Sequence, residues 1–322
     1  MNSSGGVLLD RLPLLVITGP TAVGKTELSL RIAEKYNGEI ISADSMQIYR
    51  YMDIGTAKVG LKERENIKHH LIDIINPDEE FSVAEYQKRV DILIPEILER
   101  KALPVLVGGT GLYIKAVVDG FLFPEMEKDE ELRYSLERDA DRYGSEYLHD
   151  RLKEIDPELA KKLHPNDRRR IIRAIEIYEK TGYNYSYYMR KQEERPSRYN
   201  TLKIGLIRDR EELYSRINKR VDLMIEKGLV EEIKNLFELG YNLSITAFQG
   251  LGYKEIIGYL EQKYSLEEAV RILKKNTRNY AKRQISWFKR EKDINWFNLS
   301  TLDGDMVYEK IIELIDKWQY SF

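Results

Sequence analysis

Residues Gly19 to Thr26 read Gly-Pro-Thr-Ala-Val-Gly-Lys-Thr and follow directly on the apolar run Leu14-Leu15-Val16-Ile17. This is the G-x-x-x-x-G-K-[ST] phosphate-loop pattern, set between an expected strand and a helix expected to begin near Lys25. Gly19, Pro20, Thr21, Ala22, Val23 and Gly24 form a tight turn whose amide N–H groups converge on phosphate oxygens. The helix N-terminus adds the positive end of its dipole, Lys25 adds a full charge, and Thr26 offers a hydroxyl suited to Mg²⁺. Such a loop holds a di- or triphosphate without saying what becomes of it.

Two more segments could join it. Asp44-Ser45-Met46-Gln47-Ile48-Tyr49-Arg50 places a carboxylate just past an expected strand end. Asp44 reads as a general base or substrate acceptor, as a Mg²⁺-organising carboxylate, or as a turn residue. Val107-Gly108-Gly109-Thr110-Gly111-Leu112-Tyr113 is a second glycine-rich turn after a strand, with a hydroxyl available at Thr110. It suits close backbone approach to a ligand, or a purely structural tight turn. His69, His70, His149 and His164 lack metal-ligand spacing and read as structural or solvent contacts. Tyr183, Tyr185, Tyr187 and Tyr188 suit helix packing or, alternatively, stacking on bases.

The elements that position these groups follow from periodicity. Leu14–Thr18, Glu39–Ser42 and Pro104–Val107 read as buried strands; Lys25–Tyr36 and Glu85–Arg100 read as helices. Strands alternating with helices argue a parallel α/β sheet, with ligands at the carboxyl ends of the strands. Gly19–Thr26, Asp44 and Gly108–Gly111 all fall at those ends and should meet in one crevice. After Gly120 the pattern becomes helical, as in Glu130–Tyr143 and Asp167–Lys180, which suggests a helical insertion over 121–199. Leu202–Ile207 resumes the sheet, helices run to about Arg290, Asn295–Asn298 reads as a last strand and Val307–Trp318 as a closing helix. The expected α/β core is therefore 1–120 with 200–322.

Composition narrows the class. The chain has 322 residues, 42% of them hydrophobic and 33% charged, with a net charge of −2. It has no cysteine, which excludes disulfides, thiolate zinc sites and a cysteine nucleophile. No apolar run approaches the roughly 20 residues of a membrane span. Val7-Leu8-Leu9 is too short for a signal segment. A cytoplasmic protein with no membrane role is expected. Basic residues cluster at Lys161-Lys162, at Arg168-Arg169-Arg170 with Arg173, and along Ala269–Arg290, which carries eight basic residues and no acidic one. Such clusters within a near-neutral chain read as a polyanion footprint or, alternatively, as solvated helix faces; two of them beside a phosphate loop favour the footprint.

At this point the motifs resemble the tRNA dimethylallyltransferases, in the compact bacterial form without a Cys/His zinc module. The likeness is carried by Gly19–Thr26, by Ala43-Asp44-Ser45-Met46-Gln47 with Tyr49-Arg50, and by Asp53-Ile54-Gly55-Thr56-Ala57-Lys58. It continues through His69-His70-Leu71-Ile72-Asp73, Phe81-Ser82-Val83-Ala84, Val107–Tyr113 and His164-Pro165-Asn166-Asp167. Gly250-x-Gly252-Tyr253-Lys254-Glu255 and Thr277-Arg278-x-Tyr280-Ala281-Lys282-Arg283-Gln284 complete it, over about residues 13–290.

The resemblance implies a P-loop NTPase-like sheet with a helical insertion that contacts tRNA. It also implies transfer of a dimethylallyl group from its diphosphate to N6 of the adenine just 3′ of the anticodon, in tRNAs reading codons that begin with U. By resemblance Asp44 is the general base and Thr110 lies near the reacting centre. Arg220 and Arg278 join Gly19–Thr26 on the diphosphate, and Mg²⁺ sits at Thr26. The implied tRNA contacts are Asp44, Ser45, Met46 and Gln47; Arg169, Arg170, Ile171, Ile172 and Arg173; Gln249 and Gly252; and Lys275, Arg278, Lys282 and Arg283. A monomer is expected. The competing readings are a P-loop kinase or NTPase, a non-catalytic RNA-binding protein, and a prenyltransferase acting on free AMP.

Overall fold

The computed structural model describes residues 11–242, 245–301 and 303–319; Val7-Leu8-Leu9 lie outside them. In chain order the elements begin with β1 (Leu12–Thr18), α1 (Lys25–Lys35), β2 (Gly38–Ala43), α2 (Leu61–Asn66), β3 (His69–His70), α3 (Val83–Glu99), β4 (Leu103–Gly108) and α4 (Gly111–Asp119). Five helices follow: α5 (Glu130–Tyr143), α6 (Ser145–Ile155), α7 (Pro157–Ala160), α8 (Arg168–Thr181) and α9 (Tyr185–Glu193). The chain then runs through β5 (Tyr199–Ile207), α10 (Arg210–Glu226), α11 (Leu229–Glu238), α12 (Tyr253–Leu260), α13 (Leu266–Phe288), β6 (Ile294–Asn298) and α14 (Gly304–Gln319). Two compact units result. One holds the described residues up to Asp119 and from Arg198 onward; the other is 120–197.

In the first unit the strands form one six-stranded sheet in the order β3-β2-β4-β1-β5-β6, every neighbouring pair parallel. The last five residues of β1 are all buried, as a central parallel strand covered on both faces requires. Strand alternation sends its side chains to two cores. Leu15 and Ile17 pack with α1, α14 and β5, whereas Leu14 and Val16 pack with α3 and α4. A third core joins Ile48, Tyr49 and Met52 to α11, α12 and α13.

The edge strand β3 was not legible, because two residues carry no periodicity. Its histidines serve structure. His70 Nε2 meets Glu39 Oε2 at 2.6 Å, and Arg100 grips both oxygens of the same carboxylate at 2.8 Å each. The guanidinium, more than the histidine, holds the Glu39 carboxyl down at about 2; burial pushes His70 below its ordinary value, so the ring is largely neutral at pH 7.

The 120–197 unit has its own core, built from Leu136, Ala140, Leu148, Leu152, Ile171 and Ile175. Glu176 is fully buried and compensated: Arg133 bonds both its oxygens at 3.0 and 2.7 Å, Arg173 adds a contact at 2.6 Å, and the Asp129 N–H adds another at 2.9 Å. A buried charge left without such partners would be strongly destabilising. Tyr183 and Tyr187 stack at 4.4 Å, with Tyr188 edge-on to both.

Glu39 gives a pH test. Its folded value lies below the ordinary 4.5, so its contribution is complete above 4.5 and is lost as pH falls through about 2. Thermal melts from pH 6 down to 2 should show this acid limb in the wild type and a flatter one in Glu39→Gln. Identical profiles would remove Glu39 from acid stability.

Candidate active site

Register brings the site together. Thr18 stands beside Gly108 on one side and Gly205 on the other, and Ala43 stands beside Gly108. The loops after β1, β2 and β4 therefore leave the sheet side by side at its carboxyl edge. There a cavity of about 500 Å³ is lined by Thr21–Thr26, Asp44, Gln47, Thr56, Ala57, Gly108 and Gly109, among others. From α10 come Arg216, Lys219, Arg220 and Leu223, at the i, i+3, i+4, i+7 spacing of one helix face. Tyr280 and Gln284 come from α13, one turn apart.

The loop after β1 is shaped by what takes its carbonyls. Lys25 Nζ donates to the carbonyls of Gly19 (2.9 Å) and Pro20 (2.8 Å), Arg216 Nε to Ala22 (2.9 Å), and Arg208 Nε to Val23 (2.9 Å). Arg220 donates to the Thr21 hydroxyl at 3.2 Å. Gly19 has φ +146°, and a Cβ there would lie 2.5 Å from the Leu206 carbonyl oxygen, so only glycine fits. The result is an anion cradle at the start of α1, with four cationic side chains in one wall. Burial, then Arg220, lowers Lys25 to about 7 against the partial support of Asp44. Burial also lowers Arg220, but an arginine stays charged at any working pH.

Asp44 is held by its own turn. Oδ1 accepts the Met46 N–H at 2.9 Å, and Oδ2 has no protein hydrogen bond among the described residues. The Thr110 hydroxyl oxygen accepts the Ser45 N–H at 3.1 Å, while the Thr110 N–H donates to the Ala43 carbonyl at 3.1 Å. Tyr280 shares the cavity wall with Gln284; burial, then the nearby Asp44 charge, push its phenol up to about 12, so it is a neutral hydroxyl at pH 7. Gln284 closes the arrangement. Its Nε2 donates to the Gly109 carbonyl and its Oε1 accepts the Thr21 N–H, both at 2.9 Å. A carboxylate acceptor thus faces a cationic anion cradle across one cavity, a layout for moving a proton to Asp44 while negative charge collects on the cradle.

The IPP transferase family (IPPT) matches residues 47–291. The chain belongs to the IPP transferase family. It is 62% identical over 305 residues to a Halothermothrix orenii protein named tRNA dimethylallyltransferase, covering 95% of this chain and 93% of that one. The crystal structure of a tRNA isopentenylpyrophosphate transferase from Bacillus halodurans matches with a TM-score of 0.73 at 45% identity, over 97% of this chain and 98% of that chain. A eukaryotic dimethylallyltransferase, captured in crystallographic snapshots acting on tRNA, gives a TM-score of 0.79 at 33% identity, over 91% of this chain and 75% of its own.

Several residues expected in this IPP transferase site take other places. Arg278 is not in the cavity wall: it lies two residues from Tyr280, about 200° round the helix, and donates to Asn218 Oδ1 at 2.6 Å. Thr110 is also outside the wall and steadies the Asp44 turn. Gly19 and Pro20 give carbonyls to Lys25 instead of facing the cavity. The close approach at Gly109 is made by Gln284, whose Nε2 would lie 2.2 Å from a Cβ, rather than by a ligand. Ile171 (0% exposed) and Ile172 (4%) belong to the core of the 120–197 unit and cannot touch RNA directly. Arg173 is committed to Glu176. Gly252 is buried at φ +96° against Leu229 and Gly55, and begins α12.

Arg169, Lys275, Lys282 and Arg283 are exposed, as is Gln249, and Arg170 pairs only with Asp167 at 3.1 Å. Ser45 and Met46 are partly buried, Met46 lying against Gly250. Arg216 and Lys219 were not singled out, and Tyr280 and Gln284 stood only as members of the Thr277–Gln284 motif, without a role. Their signal was helical spacing, which single-residue motif reading passes over.

The depressed lysine makes anion binding a proton-linked event. Above pH 7 the ammonium must be restored when a diphosphate binds, so affinity should weaken as pH rises from about 7 and binding should take up a proton. Titration calorimetry with dimethylallyl diphosphate at pH 8, in buffers of different ionisation enthalpy, reads that uptake. Lys25→Met should abolish it, and a wild type with no uptake would rule the linkage out.

Proposed function

We propose that the protein transfers the dimethylallyl group of dimethylallyl diphosphate to N6 of the adenine 3′-adjacent to the anticodon, in tRNAs reading codons that start with U, with release of diphosphate. The observation that carries this reading is one cavity holding both an anion cradle and, across from it, a carboxylate with a free oxygen. The Gly19–Thr26 loop, Lys25 and Arg220 grip the diphosphate; Arg216 and Lys219 lie at the exposed rim, where they draw the anion in.

An adenine amino group is a poor nucleophile because its lone pair is delocalised into the ring. Asp44 accepts an N6 hydrogen bond and takes the proton as the N6–C1 bond forms and the C1–O bond to diphosphate breaks. The electron pair leaves on the diphosphate oxygen, where the loop amides and the cations stabilise it. Thr110 holds the Asp44 turn at this geometry. The target base must leave its stack to reach the cavity, and Gln47 meets its edge.

Mg²⁺ fits this site as a shared ion. Thr26, at the first turn of α1, and the Glu27 and Asp44 carboxylates supply hard oxygens to the same wall. Among the described residues no cluster of three or more His, Asp or Glu side chains forms a cage, so diphosphate oxygens and water would complete the shell. Bound there, it would neutralise charge on the leaving group. A kinase or NTPase reading is weaker, because β4 ends in Gly108-Gly109 where such an enzyme carries a metal-binding carboxylate. We take the protein as a monomer, since one chain supplies the whole wall, and as cytoplasmic, where tRNA is modified. No helix of the described residues is long and apolar enough to cross a membrane.

Incubation with labelled dimethylallyl diphosphate, Mg²⁺ and unmodified tRNA, followed by nucleoside analysis, tests the activity. Asp44→Ala should lower turnover by about 10²–10⁴-fold while tRNA still binds; full activity would exclude Asp44 as the base. Replacing Arg169 and Arg170 with alanine should weaken tRNA binding and reduce its log–log salt slope by about 0.7 per lost phosphate contact. An unaltered slope would take the 120–197 unit out of the RNA footprint.

A further inference from the structure

The segment Met52–Val59 has neither helix nor strand, yet it gives Thr56, Ala57 and Val59 to the cavity wall. A carboxylate from α11 holds it. Glu232 Oε2 accepts the N–H groups of Asp53 (2.8 Å) and Ile54 (2.6 Å); Oε1 accepts the Gly55 N–H (3.1 Å) and the Tyr253 phenol (2.7 Å). Three successive amides aimed at one anion make a nest, and bonds to a charged acceptor are stronger than neutral ones. The far end of the segment is tied by Lys58, 2% exposed, whose Nζ reaches the Tyr49 carbonyl at 2.6 Å, Asp53 at 2.7 Å and Asp73 at 2.6 Å.

Between these two anchors the Thr56 carbonyl meets Gln47 Nε2 at 3.4 Å, while Gln47 Oε1 accepts from the Ser42 hydroxyl at 2.9 Å. A hydroxyl could face either end of the amide; a carbonyl only accepts, so Thr56 decides which end is nitrogen. One Gln47 N–H is left over from the Thr56 bond, and Gln47 lines the same cavity as Asp44.

We propose that Glu232 is a positioning residue for recognition of the acceptor base, acting through Thr56 on the orientation of Gln47. The inference rests on the transfer to a tRNA adenine proposed above. An N–H donor beside a carboxylate acceptor matches adenine, whose N6 donates and whose ring nitrogens accept; guanine presents N1–H and O6 in the opposite sense. Glu232→Gln keeps the shape of the side chain but turns an amide N–H₂ toward the nest, which needs acceptors.

The test measures kinetics with tRNA and donor varied separately, together with hydrogen exchange over residues 50–59. Glu232→Gln should speed exchange of the Asp53–Gly55 amides and raise KM for tRNA about tenfold, the worth of one charge-assisted hydrogen bond. KM for dimethylallyl diphosphate should stay unchanged. Glu232→Asp should recover part of the effect, and Glu232→Gln should add nothing in a Gln47→Ala background. The proposal is overturned if exchange is unchanged, if both KM values shift together, or if the loss merely follows a lower Tm. A wild type that leaves tRNA unmodified overturns the functional reading instead, whereas an active wild type with unaltered Glu232→Gln kinetics overturns the Glu232 assignment alone.

Discussion

The parallel register that sets Thr18, Ala43 and Gly108 abreast is the constraint on which the site depends. Side chains alternate along a strand, so a slip of one residue in β2 would exchange its two faces and displace the Asp44 turn. Both faces of β1 and β2 are packed, which makes any such slip costly. Register aligns the loops but does not join them. Thr110 ties the loops after β2 and β4, and Gln284, whose single amide bridges Thr21 and Gly109, ties in the loop after β1. The turn after β4 is glycine-rich because Gly108 leaves room for the Ala43 backbone of β2, and Gly109 and Gly111 for Gln284 and Trp287 of α13, so β2 and α13 fix the same edge.

Charge is handled differently inside and outside the cavity. Glu39, Glu176 and Lys58 are each buried against opposite charges and hydrogen-bond partners, the condition for tolerating a buried ion. In the cavity wall Lys25, Arg216, Lys219 and Arg220 converge with Asp44 as the main counter-charge, and burial, then Arg220, bring Lys25 down to about 7. Such under-compensation costs stability and is retained where a ligand supplies the missing charge. The Ala22 and Val23 carbonyls are taken by Arg216 and Arg208, so the cationic groups do two tasks, shaping the loop and preparing it for an anion.

What sequence could reveal divides along the range of the interaction. The phosphate loop, the Asp44 turn and the order of strands and helices are local patterns; periods of 2 and 3.6 and the glycine spacing displayed them. The two-residue strand β3 is too short for a period. Arg278, Ile171 and Ile172 came with the resemblance, which carries no helical phase: Arg278 bonds Asn218 of α10, and the two isoleucines face the core of the 120–197 unit. The role of Gln284, named only as the end of a motif, and Glu232 altogether escaped notice for another reason. Each acts on loops more than a hundred residues away, and nothing in the flanking sequence marks an amide or a carboxylate as a long-range clamp.

Helix α13 shows why the two substrates need not be read as independent. Its inner face carries Tyr280 and Gln284 into the cavity wall that Asp44 shares, with Gln284 bonded to the phosphate loop; its outer face exposes Lys275, Lys282 and Arg283. Arg278 ties α13 to α10 through Asn218, and α10 carries Arg216, Lys219 and Arg220. The groups that would meet RNA phosphates and those that would grip the donor therefore ride on one packed helix pair. Packed helices shift between discrete arrangements rather than flexing continuously. Any displacement of α13 by RNA on its outer face would be felt at the Thr21 amide through Gln284, a side chain too short and too fully bonded to absorb it.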